Sequence, residues 1–302
     1  MFRKIGLATA ATLCAATVNA QSMPIGFYAD GGGEIGYVSS GDNDATLYGV
    51  DLMLGYSGSS AGSMPLGFEV SVEYVDFDGE DLGPAYSAIV YYESSFGRIS
   101  VGSPLNALDD YVNAPKSRMN SAYLGELSIL TGSYTGLIPL FEEEMAYGVR
   151  FDGTANGVNY GVSYHNFDNA GLETLTAGAS YERDNYIVSV GAESFIDEDE
   201  SSVFASVEFD FGLFGTQLFV SRPFFGDGLF YQVEGTYLPF ESVELVAGYG
   251  SFPEETLDYY YVQAEYSFLN GGYVGAAYTD GDDINSLYDV YAGWRFNYGY
   301  GG

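Results

Sequence analysis

Tyr288-Asp289-Val290-Tyr291-Ala292-Gly293-Trp294-Arg295-Phe296 alternates large apolar residues with polar, charged or small ones. Successive side chains of a strand point to opposite faces, so one face of this packet suits hydrocarbon and the other suits water. The alternation recurs in packets of roughly ten residues back to about Phe27, nearly all of them bracketed by Tyr or Phe. A soluble sandwich buries its apolar face between two sheets. A closed barrel with lipid outside and an aqueous lumen inside requires the arrangement written here.

Period-two alternation between turn signals predicts strands at 27–38, 46–57, 65–77, 85–94, 97–103, 145–153, 157–167, 173–183, 185–195, 201–211, 213–221, 229–239, 241–251, 257–268, 271–280 and 287–297. The count, sixteen, is even, as in bacterial single-chain barrels. Charge keeps to one parity: Phe68, Val70, Val72 and Tyr74 oppose Glu69, Ser71 and Glu73, and Val203, Ala205, Val207 and Phe209 oppose Ser206, Glu208 and Asp210. A Lys or Arg on the lipid face near the midplane costs about 2–4 kcal/mol, so a lipid-bathed barrel needs this segregation. The expected fold is all-β, a transmembrane antiparallel β-barrel in one domain. There are too many strands for one sandwich and no repeat of solenoid length.

Arg3 and Lys4 precede an apolar run from Ile5 to Val18, and Val18-Asn19-Ala20 supplies the small residues of a cleavage site. Residues 1–20 therefore read as an export signal, removed to leave a barrel domain at 21–302. The run is too short to cross a bilayer as a helix. Cys14, the one cysteine, lies inside it, so the mature chain carries neither disulfide nor thiolate metal site. With 42 acidic residues against 9 basic ones, the chain lacks the clustered cations that phosphate binding needs, and nucleic acid is excluded as a partner. Tyr, present 29 times, has an apolar ring and a polar tip suited to membrane interfaces.

Connections near 95–96, 154–156, 184, 212 and 240 read as very short, whereas 39–45, 78–84, 197–200, 223–228 and 280–286 read as longer and acidic. Short turns face the periplasm in outer-membrane barrels, which places both chain ends there. Segment 103–144 is far longer than any other connection. Its Leu105, Leu108, Tyr123, Leu124, Leu127, Ile129 and Leu130 are more easily buried against a wall than left in water.

Phe96-Gly97-Arg98-Ile99-Ser100-Val101-Gly102 resembles the strand before the constricting third loop of the trimeric general-diffusion porins of Gram-negative outer membranes. Met145-Ala146-Tyr147-Gly148-Val149-Arg150-Phe151-Asp152 resembles the strand after it. The resemblance implies a third loop folded into the lumen, a homotrimer, outer-membrane lipid as the surrounding partner, and small hydrophilic solutes and cations as cargo. It also implies a constriction in which loop carboxylates face wall arginines across the pore. Carried over by position, the loop candidates are Asp109, Asp110 and Glu126, with Glu142, Glu143 and Glu144 at its far end, and the wall candidates are Arg98 and Arg150. Lys116 and Arg118 lie in the loop, where a local ion pair with Asp109 or Asp110 is the plainer reading, and Arg295 shares the inward parity of Asp289.

Ser163 and His165 share a strand face, but Cβ atoms at i and i+2 on a strand lie about 7 Å apart and no third orienting group accompanies them, so no catalysis is expected. The acidic cluster Asp280, Asp282 and Asp283 has the oxygen chemistry to hold Ca2+ weakly, although solvated acids are the simpler reading, and no other cofactor is expected. The expected function is a water-filled, cation-selective channel for passive diffusion. A substrate-specific channel on the same fold is the alternative, and an adhesive or enzymatic barrel is more distant. Aromatic rows along a solute path would favour the alternative, and Tyr91, Phe204, Tyr261 and Tyr291 share the inner parity.

Overall fold

A computed structural model describes residues 26–40, 43–58, 65–77, 80–116, 130–142, 144–196, 200–224, 228–282 and 284–299. The proposed export signal, Glu126, Arg118 and Asp283 lie outside them. Sixteen antiparallel strands close on themselves, each paired with its neighbours in sequence and β1 with β16. They are β1 (Gly26–Ser40), β2 (Asn43–Ser57), β3 (Leu66–Phe77), β4 (Glu80–Ser94), β5 (Gly97–Ser103), β6 (Tyr147–Ala155), β7 (Val158–Phe167), β8 (Leu172–Arg183), β9 (Tyr186–Phe195), β10 (Glu200–Asp210), β11 (Phe214–Arg222), β12 (Phe230–Phe240), β13 (Val243–Phe252), β14 (Leu257–Ser267), β15 (Gly272–Asp282) and β16 (Ile284–Gly299). The seam runs in register from Tyr28 opposite Gly299 to Ser40 opposite Leu287. Closure leaves no sheet edge, which a structure in hydrocarbon requires.

The parity reading holds. Tyr48, Val50, Leu54, Phe68 and Val70 are exposed on the outside, while Glu193, Glu234 and Asp289 are buried on the inside. Connection lengths depart from expectation. β1 and β2 are separated only by 41–42, β3 and β4 by 78–79, and β15 and β16 by 283. Pairing continues through the acidic stretches because each added residue pair satisfies two backbone groups, and alternating acids fit a strand as well as a loop. Pro84, which has no N–H to give, sits opposite Tyr74 beside a register shift. Apart from 104–146, the connections at the two ends of the barrel are therefore of similar length.

Inside the barrel a recurrent device packs the wall. Tyr28, Tyr91, Tyr259, Tyr261, Tyr273 and Tyr291 stand directly opposite Gly55, Gly67, Gly250, Gly248, Gly293 and Gly275 on neighbouring strands. Each ring lies where the glycine's missing Cβ would be, so aromatic area is buried against backbone.

The described parts of the connection, 104–116, 130–142 and 144–146, lie against the inner wall, and among them are the short helices α1 (Ala107–Tyr111) and α2 (Tyr134–Glu142). α1 packs on β7, β8 and β9, and α2 on β4. Leu108 and Leu130 are buried as expected, whereas Leu105 is 57% exposed. Leu105 precedes α1 and gives its carbonyl, not its side chain, to the barrel wall.

Candidate functional site

The loop is fixed to the inner wall by a succession of polar contacts. Asn106 caps α1, its side-chain oxygen accepting from the Asp109 amide at 3.0 Å. The Ala107 amide donates to Ser163 Oγ (2.9 Å) on β7 and Thr176 Oγ1 (3.2 Å) on β8, and His165 Nε2 reaches the same Ser163 oxygen at 2.9 Å. Ser163 and His165 thus hold the loop. Farther along, the Asn113 amide meets Ser189 Oγ at 3.2 Å, its side chain donates to Glu208 at 3.1 Å, and its carbonyl accepts from Gln217 at 2.7 Å. The Lys116 amide donates to Glu234 at 3.3 Å, and Lys116 Nζ lies 3.6 Å from Glu244 on β13. On the way back the Leu130 carbonyl accepts from Ser221 on β11.

Two ionic clamps anchor the helices. Arg150 on β6 pairs with Asp110 of α1 and with Asp152 (2.6 Å), and Nη1 also donates to the carbonyls of Leu105 and Asn106, each at 3.2 Å. Tyr111 Oη donates to the same Asp152 at 2.9 Å. The second clamp is Glu193 on β9, which accepts from Ser133 Oγ (2.6 Å) and the amides of Tyr134 (3.1 Å) and Thr135 (2.7 Å). A carboxylate there satisfies the free N–H groups at the start of α2 and complements the positive end of its dipole. Asp109 joins the helices by accepting from the Ser133 amide at 3.2 Å. Burial pushes its carboxyl up to about 7, against the lowering effect of hydrogen bonds from Asn106 and Ser133.

The candidates thus separate. Asp110 and Arg150 meet, but beside the wall rather than across the pore. Lys116 pairs with Glu244 instead of Asp109 or Asp110, because the loop has travelled to β12 and β13 by that residue. Glu144 accepts from the amides of Asn169 (2.7 Å) and Ala170 (2.9 Å) in the β7–β8 connection. Arg98 lies toward the end of the barrel that carries the chain termini, 2.8 Å from Glu69 and 3.7 Å above the Tyr91 ring. Arg295 is 3.3 Å from Glu265 and 3.9 Å from the Tyr273 ring centre. With the loop laid along β6–β13, the wall it leaves is β14–β16 and β1–β3, whose inward parity includes Glu34, Asp51, Glu69, Glu73, Glu265 and Asp289. Asp280 accepts from Tyr260 (2.8 Å), Tyr278 (3.0 Å) and Ser286 (3.1 Å), and among the described residues no three acidic or imidazole groups converge as a metal site.

Sequence reading missed Asp152, Glu193 and the Ser163, Thr176 and Ser189 hydroxyls as loop anchors. Asp152 was within reach of it, being two residues from Arg150 and so on the same face. The remaining anchors depend on contacts across tens of residues.

A profile of the Gram-negative porin family matches residues 7–301. The chain belongs to the Gram-negative porins. The porin fold is seen again in solved structures: two variants of the porin of Rhodopseudomonas blastica, at 15% and 16% identity, each superpose with a TM-score of 0.68 over 89% of this chain and 100% of theirs. No curated protein sequence matches the chain. This porin resides in the outer membrane, and its aromatic, lipid-facing exterior fits that setting.

Proposed function

We propose that this porin is a cation-selective channel through which small hydrophilic solutes and ions diffuse passively. One observation carries the reading: among the described residues each inward arginine is matched by a carboxylate, Arg150 by Asp110 and Asp152, Arg98 by Glu69 and Arg295 by Glu265, while Glu34, Asp51, Glu73 and Asp289 add further acidic groups to the wall facing the loop. Like charges around a confined aqueous lumen with low-dielectric walls sum to a potential that concentrates cations. The inner aromatics Tyr91, Phe204, Tyr261 and Tyr291 are buried rather than displayed along a path, which favours general diffusion over a substrate-specific slide. Assembly as a homotrimer belongs to the same reading, and an outward apolar groove of about 480 Å³ beside the seam, lined by Ile35, Val274, Val290 and Ala292, offers a surface for a second copy.

Reversal potentials across a KCl gradient test the selectivity. With a Debye length of about 10 Å at 0.1 M and about 3 Å at 1 M, cation preference should be strong in dilute salt and fade in concentrated salt. Asp51→Asn combined with Glu73→Gln should weaken it. Anion preference at low salt would refute the reading.

A further inference from the structure

The turns at the end of the barrel that carries the chain termini are of two kinds. Where β6 meets β7 the tip is Asn156-Gly157, and where β8 meets β9 it is Asp184-Asn185. Turn geometry explains both, since Asn156 and Asp184 take a positive φ that polar residues tolerate. The next three turns around the ring are built otherwise. The β10–β11 turn and its flank carry Phe211, Leu213 and Phe214, the β12–β13 turn Phe240, and the β14–β15 turn Phe268 and Leu269. Gly212 and Gly271 take the positive φ there, which leaves the other positions open to large side chains. Each of the six is at least 47% exposed, and Leu269 is wholly so. The turns are joined edge to edge: the Leu238 amide donates to the Leu213 carbonyl at 2.9 Å and the Ser267 amide to the Ser242 carbonyl at 2.8 Å, while the Phe214 and Tyr237 rings stack 4.7 Å apart. Their side chains therefore make one continuous rim rather than scattered residues.

This rim reaches past the aromatic girdle. Phe209, Tyr237 and Tyr266 are outward strand residues, placed as aromatics at a membrane interface are. Leu213 and Leu269 lie outside the strands, in chain that a level barrel would hold in water. We infer that the turns of β10–β15 are a lipid-docking surface, sunk into the headgroup layer of the leaflet nearest the chain termini, so that the barrel sits deeper on this side than at β6–β9. Lipid is the occupant because the rim continues the lipid-facing exterior without a break, and among tip residues 211–213, 240–242 and 268–271 the one charged side chain is Glu241. Withdrawing these apolar tips from water favours the deeper seat. The inference rests on residence in the outer membrane and is independent of the channel reading.

The test places nitroxide labels on Leu213→Cys and Leu269→Cys, with Asn185→Cys and Thr154→Cys as references on the polar side, in the full porin reconstituted into vesicles of phosphatidylethanolamine and phosphatidylglycerol. Cys14, the chain's one cysteine, lies in the proposed leader, so each variant carries a single label. Heat-dependent gel migration confirms that each barrel has folded. Oxygen concentrates in hydrocarbon and a nickel chelate in water, so their relative collision rates report depth. The oxygen-to-nickel ratio should be several-fold higher at 213 and 269 than at 185 and 154. Equally low ratios at all four positions would put the tips in water and overturn the docking surface. Equally high ratios would immerse the whole end and overturn its one-sidedness. Shielding of 213 and 269 from both reagents would mean that protein covers them, which overturns lipid as the occupant.

Discussion

Replacing Arg150 by Ala should release the start of the long loop. Arg150 and its partners are largely dry: the Arg150 side chain is 10% exposed, and Asp110 and Asp152 are 17% exposed each. Removing the guanidinium leaves two carboxylates without their cation and the Leu105 and Asn106 carbonyls without a donor. Losing one partner of a buried pair costs about 3–5 kcal/mol. At about 1.4 kcal/mol per tenfold, the undocked population of α1 should grow by roughly two to more than three orders of magnitude. The barrel itself should persist, since its strands are held by their own ladders. A spin label on Lys116→Cys reports the loop directly, because Cys14 in the proposed leader is the chain's one cysteine. The background is mild, since the exposed Lys116–Glu244 pair is worth about 0–1 kcal/mol. The Arg150→Ala spectrum should show a mobile component absent from the parent, accompanied by noisy channel currents. Arg150→Lys, which keeps the charge but loses the planar fork, should fall between. A label spectrum that superposes on the parent in a folded Arg150→Ala barrel would refute the clamp.

Asp109 makes docking pH-dependent: its carboxyl lies at about 7 in the docked loop against 3.8 when free, so the docked state favours the neutral acid. That contribution is complete below about pH 4 and is lost as pH rises to about 7, so the Lys116 label should loosen progressively between about pH 4 and 7, and Asp109→Asn should flatten the response. Glu193→Gln should leave the barrel intact while speeding amide exchange at Tyr134 and Thr135, since hydrogen bonds to a charged acceptor contribute about 1.5–3 kcal/mol. Gly67→Ala would drive a methyl into the Tyr91 ring and the Tyr56 carbonyl, so the heat-dependent gel transition should shift to lower temperature, consistent with an overpacking cost of about 1–3 kcal/mol.

Strand number and parity were legible because lipid imposes a period-two code along the strands, and the inward loop because a segment of such length and apolar content interrupts that code in a chain resembling the porins. Tyr48, Val50 and Leu54 could face only one solvent, and Asp51 only the other. Loop ends were less legible: Asp44 and Asp282 look like loop residues yet belong to paired strands, since polarity alone does not distinguish a turn from a hairpin that rises out of the membrane. The constriction was legible in its residues and not in its pairing. Arg150 and Asp110 were both visible, but whether they face each other across water or clasp at the wall depends on the path of the loop. Glu193 has only the alternating parity of an inward acid in the sequence, and its capping of α2 joins residues 58–60 apart.

The seam between β1 and β16 has a consequence for how the protein is made. Until the last strand arrives, the first keeps a row of unanswered N–H and C=O groups, and so does whichever strand is newest. A growing sheet with two open edges and one greasy face is a template for aggregation in the periplasm, and only the pairing of Tyr28–Ser40 with Leu287–Gly299 removes both edges at once. That pairing has nearly the greatest sequence separation the chain allows, so it comes late and slowly. Biogenesis of this porin should therefore depend on factors that shield an almost complete sheet, and a chain truncated before Tyr288 should be lost altogether rather than survive as a smaller barrel.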